Sequence, residues 1–333
     1  MKMLLNILLV LTLFSRPVLA QFDNGRSDFS VVINNEIYGY NEFSVYALPH
    51  ESLMIRTVGQ TDLPISIETS IGDLDRLGDN RWIWKAPEKS GLTHIRLTRS
   101  DNESITLSVF VMVPSTLLRN GHVNGKLIGE YPPPLSDDPL YLRPDGFIEV
   151  TQENISTRLS PHFTLGQFAS STDDKFPRYI VLRERLLLKL EALLERVNEN
   201  GITADTFKII AGYLTPDYVI NSGRDPYSRH IYGGAALIAV DMTPVDDQMD
   251  DLNQDGVINN SDARVLFDIA DQLYQEADKR YLSGGLFLYR QANELGPYVM
   301  IDARGFRQRW LEESELFENP FKVKSSDRIL LDQ

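Results

Sequence analysis

The stretch DLNQDGVINNSD places side-chain oxygens at alternating positions: Asp251, Asn253 and Asp255, then Gly256, with Asp262 at the twelfth place. A hard cation such as calcium needs six or more oxygens converging from a short loop. Alternation supplies three of them, Gly256 permits the sharp turn, and the carbonyl of Val257 adds another. Ile258 is expected to pin the loop to the core, and ARVLFDIADQLYQEA to leave it as a helix. The expected role is a structural calcium ion that neutralises a run also containing Asp246, Asp247 and Asp250.

A second candidate is SRHIYGGAALIAVD, Ser228 to Asp241, where a histidine and paired glycines precede an apolar strand. Three further stretches accompany it in order: SPHFTLGQF, AGYLTP and GPYVMIDARGFRQRW. Together these resemble the zinc D-Ala-D-Ala peptidase family (LAS-type, with the hedgehog/DD-peptidase fold) from about Leu159 to Trp310. The resemblance implies a Ser-x-His-x-x-Gly-x-Ala-x-Asp metal motif and a second, downstream His. Ser228, His230, Gly233 and Ala235 match, but Leu237 stands at the ligand Asp and Met300 at the downstream His. Leu214 replaces the substrate-binding Arg of the family's Gly-Tyr-Arg motif, while Asp302 is retained. The calcium loop, with Asp in place of the usual Glu at its end, resembles that of a dockerin. A single copy argues against docking of the cohesin kind.

These replacements remove chemistry. A catalytic zinc needs three N or O ligands and an open position for water. Leu237 offers no donor, and a Met thioether suits softer metals. Without the ion there is no activated water, and without the Arg no bidentate clamp on a peptide carboxylate. The three apolar side chains are expected to pack together beside His230. A rebuilt site would have to combine His230 with Asp241 and Asp302. The reading is a non-catalytic pseudopeptidase that takes structural calcium and no zinc. Its expected partners are peptidoglycan peptides or an envelope protein. A peptidase with a rebuilt metal site, and a purely structural envelope subunit, remain as alternatives. Arg304 to Trp310 either contributes to a binding surface or simply closes the last strand.

The elements that must position these residues fall into two groups. Between residues 21 and 115 seven short alternating segments, among them FSVVI, SLMIRTV and ITLSVFVMV, predict an all-β immunoglobulin-like sandwich. Trp82 and Trp84 share one face of a strand, so at least one belongs to the core. Residues 116–158, with EYPPPLSDDPLYLRPDG, read as an extended Pro-rich connector on the surface. From 159 to 333 helices and strands mix without βαβ regularity, which predicts an α+β domain with the calcium loop inserted at 246–275. Its first helix carries Leu186, Leu190, Leu193, Leu194 and Val197 on one face and ends at Gly201.

The whole chain has 333 residues, 42% of them hydrophobic, and a formal charge of −14. Such a balance argues against a nucleic-acid surface, whose affinity comes from clustered Lys and Arg. The start, MKMLLNILLVLTLFSRPVLA, reads as a signal peptide over residues 1–20, its apolar run too short to span a bilayer. Export, to periplasm or exterior, and no membrane span after cleavage are therefore expected. The absence of cysteine excludes disulfides and thiolate chemistry.

Overall fold

The computed structural model describes residues 22–136, 138–169, 175–289 and 296–311. The segment read as a signal peptide lies outside them. Among the described residues no helix is long and apolar enough to cross a membrane. The fold is mostly β-sheet with few helices.

The first part is a sandwich of two sheets. Nine strands build it: β1 (Arg26–Ile33), β2 (Glu36–Tyr40), β3 (Glu42–Ala47), β4 (Ser52–Gly59), β5 (Ile65–Thr69), β6 (Asp73–Gly78), β7 (Arg81–Lys85), β8 (Gly91–Arg99) and β9 (Ser104–Val111). One sheet runs β2-β1-β4-β7-β6 and the other β3-β9-β8-β5. Period-two burial explains them: Leu53, Ile55 and Thr57 face inward from β4, and Thr93, Ile95 and Leu97 from β8. Both Trp82 and Trp84 are buried, and the indole of Trp84 donates to the Ile71 carbonyl at 2.9 Å. Two strands escape the sequence pattern. Strand β2 follows β1 after a two-residue turn in which Asn34 and Asn35 take φ of 51° and 67°, as a tight hairpin demands. In β6, only Leu74 packs on the core while Asp73, Asp75 and Arg76 face solvent, so no apolar alternation marks it.

Part of the stretch expected as a surface connector is core instead. Strand β10 (Val113–Pro114) is followed by a small hairpin, β11 (His122–Val123) with β12 (Lys126–Leu127), and then by β13 (Gly146–Val150). Phe147, Ile148 and Val150 of β13 are buried, which leaves no polar face to reveal a strand. Next come β14 (Arg158–Ser160), β15 (Phe163–Thr164), the single-turn α1 (Leu165–Phe168) and β16 (Arg178–Ile180). The sheet β10-β13-β16 thereby stitches the sandwich to the C-terminal half of the chain.

The remaining elements are α2 (Glu184–Glu199), β17 (Lys208–Ala211), α3 (Pro216–Asn221), β18 (Ala235–Ala239), α4 (Asn260–Leu273), β19 (Gly285–Tyr289), β20 (Tyr298–Asp302) and β21 (Gln308–Leu311). Their sheet runs β17-β18-β20-β19-β21, antiparallel except for the last pair. One face, with Ile238, Val299, Ile301 and Leu286, shares a core with α2 and α4. In α2, Leu186, Leu190, Leu193, Leu194 and Val197 are all fully buried, and Gly201 just beyond the helix takes φ +83°. The opposite face of α2 touches the sandwich. Arg26 pairs with Glu195 at 2.7 Å, Arg185 pairs with Glu36, and one apolar core runs through both parts. The expected short helix after Trp310 lies outside the described residues.

Candidate functional site

His230 sits in a single 3-10 turn, Arg229–Tyr232, immediately before β18. The turn exits through Gly233 at φ +64°, where a Cβ would lie 2.3 Å from the Val181 carbonyl oxygen, so only glycine fits. The His230 side chain is fully buried, and its Nδ1 donates to the Gly212 carbonyl at 2.6 Å. Burial pushes its pKa down to about 4, so the ring is neutral at pH 7.

Leu237 and Met300 meet in register. Leu237 on β18 lies opposite Met300 on β20, and Met300 lies opposite Phe287 on β19. Ala211 flanks Leu237 from β17, and Trp310 flanks Phe287 from β21. One row of apolar side chains therefore crosses all five strands. The rings of Phe287 and Trp310 stack at 3.8 Å, and Tyr289 and Tyr298 extend the cluster at 5.0 Å from each other. Leu214 does not join this row, contrary to the expectation of a single plug. It packs with Val219, Ile231 and Tyr232, while its backbone N–H reaches the His230 carbonyl at 3.5 Å. The strand pairing separates them: Ala211 ends β17, and the chain leaves the sheet before Leu214.

Asp302 and Asp241 are each engaged in local hydrogen bonds. Asp302 is fully buried and accepts from Gly285 N at 2.8 Å and from Arg304 Nη2 at 2.6 Å. Burial alone would raise its pKa; the Arg304 guanidinium and its hydrogen bonds hold it below the usual carboxylate range. Asp241 lies beyond the far end of β18, where its carboxylate accepts from Asp246 N and Asp247 N at 2.9 and 3.0 Å. His230, Asp241 and Asp302 are thus not brought together. Among the described residues no group of three or more His, Asp or Glu side chains is placed to hold a metal ion. The donor set around His230 does not fit zinc. The arginines of the last segment are also paired within the chain: Arg304 grips Asp302, and Arg309 and the exposed Arg307 both grip Asp271 on α4.

The acidic loop takes the expected turn. Gly256 adopts φ +83°, and the Asp251 carboxylate accepts from Asp255 N at 3.1 Å and Gly256 N at 2.7 Å. Asn253 Oδ1 accepts from Asp255 N at 2.9 Å. Asp262 closes the loop from the first turn of α4, accepting from Leu252 N, Asn253 N and Asn259 N. The last bond makes Asn259 and Asp262 a capping box, a second reason for a short acid at this position. Val257 is exposed. Ile258 is 38% exposed, so it does not pin the loop as expected. Leu252, which follows the first acid, is buried and performs that anchoring.

Two buried charges escaped the sequence reading. Lys189 is fully buried on the apolar stripe of α2, donates to the Asp302 carbonyl at 2.7 Å and lies 4.0 Å from the Tyr274 ring centre. Burial lowers its pKa to about 7. Its spacing, three residues after Leu186 and four before Leu193, was the available signal. His162 Nδ1 meets the buried Glu191 at 2.6 Å and its Nε2 meets the Asp23 carbonyl at 2.8 Å, tying the start of the described chain to α2. No signal in the sequence pairs residues so far apart. No family model, curated protein or solved structure matches this chain.

Proposed function

We propose that this is an exported, non-catalytic protein in which an immunoglobulin-like sandwich carries a degenerate zinc D-Ala-D-Ala peptidase-like domain. Its role is to bind a wall peptide or to serve as an envelope scaffold. The observation that carries this reading is the apolar row from Ala211 to Trp310, in which Leu237 and Met300 face each other at the two lost ligand positions. The sealing of Asp302 by Arg304 supports it further. In the same reading Asp251, Asn253, Asp255, the Val257 carbonyl and Asp262 hold a structural calcium ion, which would supply positive charge to an acidic loop and no reaction step.

The test is native mass spectrometry of residues 21–333 with zinc and calcium added separately. One calcium and no zinc per chain is the expected result. The double variant Leu237→Asp with Met300→His should then take up one zinc, because the two strands already hold these positions opposite each other. A double variant that folds but takes no zinc rejects the alignment to the peptidase family. Zinc held firmly by the unaltered chain rejects the non-catalytic reading.

A further inference from the structure

Arg183 and Arg229 are neighbouring like charges that make no ion pair among the described residues. Arg229 is only 7% exposed, and among the described residues no carboxylate lies within ion-pair distance of either guanidinium. Arg229 Nη1 donates to the Leu140 carbonyl at 2.7 Å, while its Nη2 is buried without a partner. Arg183 donates through Nη2 to the Pro139 carbonyl at 3.2 Å and through Nε to the Tyr232 carbonyl at 3.1 Å. Tyr141 covers Arg229, its ring centre 4.1 Å from the guanidinium carbon. Glu184 and Asp138 act on Arg183 only at a distance, without an ion pair, and Asp138 is used in a turn, accepting from Leu140 N at 2.9 Å. Burial and the neighbouring Arg229 lower the pKa of Arg183 and outweigh the opposing influence of Glu184 and Asp138.

A desolvated guanidinium within electrostatic reach of another, with a donor left without an acceptor, is costly unless something compensates it. We propose that Arg183 and Arg229 form a binding site for an oxyanion, the carboxylate or phosphate group of a ligand, and that the backbone carbonyls of Pro139 and Leu140 occupy it in the free protein. Two forked donors suit the paired oxygens of such a group, and an anion neutralises a repulsion that neutral carbonyls cannot. The ligand displaces the carbonyls of Pro139 and Leu140, whose surroundings are held by Tyr227 Oη donating to the Pro133 carbonyl at 2.9 Å and by Tyr141 packing on Tyr227 and Tyr232. The site depends on these two arginines alone and stands whether or not the domain is of peptidase descent.

The experiment is isothermal titration calorimetry of the full mature chain with sodium phosphate and, separately, sodium acetate at low ionic strength. One anion should bind per chain, and Arg229→Gln and Arg183→Gln should each weaken binding by about tenfold or more. Arg183 is partly exposed, so its variant carries the test if Arg229→Gln does not fold. Tyr227→Phe should tighten binding about threefold by loosening the covering segment. Stronger phosphate binding assigns a phosphorylated ligand, and stronger acetate binding a carboxylate. Absence of binding to both anions, or equal affinity in both arginine variants and the unaltered chain, overturns the site. Unchanged affinity in Tyr227→Phe overturns the displacement.

Discussion

At the scale of single residues, His230 is the most completely enclosed imidazole of the candidate site. Its ring has a structural role, donating to Gly212 from a site without solvent. Because burial lowers its pKa from the ordinary 6.5 to about 4, the unfolded chain takes up a proton in that range that the folded chain does not. Stability is therefore complete above pH 6.5 and falls as pH drops toward 4. His230→Gln keeps a donor but does not titrate. Urea titrations at pH 6.5 and 4.5 should show the variant gaining on the order of 2 kcal/mol relative to the unaltered chain. Equal pH dependence in both proteins would exclude His230 as the responsive group.

At the scale of elements, what positions the site is a glycine turn and a strand pairing. Gly233→Ala forces a Cβ to within 2.3 Å of the Val181 carbonyl at a positive φ, and should cost about 3 kcal/mol or more. Gly201→Ala also has positive φ but meets nothing within 4 Å, and should cost about 1 kcal/mol. Thermal melts of the two variants would separate crowding from backbone strain alone. This level was partly legible from sequence. The α2 stripe and the strands at Trp82–Trp84 and Ala236–Ile238 announce themselves by period or by apolar run. Strand β19, GLFLY, is buried throughout and so has no alternation to read. Strand β13 hid in the same way, within a stretch dominated by proline. The partnership of Leu237 with Met300 could be guessed only through the resemblance, since pairing between strands 63 residues apart is set by the sheet and not by local pattern. Phe287 and Trp310, the aromatic half of the row, gave no sign of their role.

At the scale of the whole molecule, α2 is the shared wall between the two halves, and its polar face is titratable. Burial raises Glu184 to about 7, close to Tyr38 and Tyr46, with Glu36 adding repulsion and Arg183 opposing it. The unfolded chain loses that proton near pH 4.5, so stability falls as pH rises from there to about 7. For His162, burial would lower the pKa, but Glu191 and the Asp23 carbonyl raise it overall. Its contribution is full below 6.5 and is lost as pH rises through the folded value. Both groups make the junction tightest in mild acid. Glu184→Gln should therefore raise stability at pH 8 by about 1 kcal/mol, with the gain gone at pH 4.5 in denaturant titrations. An equal effect at both pH values would mean that the carboxyl is not the source. Strand β6, whose Asp73, Asp75 and Arg76 conceal it from any reading by apolar period, bears on how the molecule meets its own copies. It is the outermost strand of its sheet, where free backbone donors and acceptors invite a strand from another molecule. The charges that hide this strand also guard it, since a second copy pairing on that edge would have to draw Asp73, Asp75 and Arg76 out of water. Self-association is thus opposed along this edge of the sandwich.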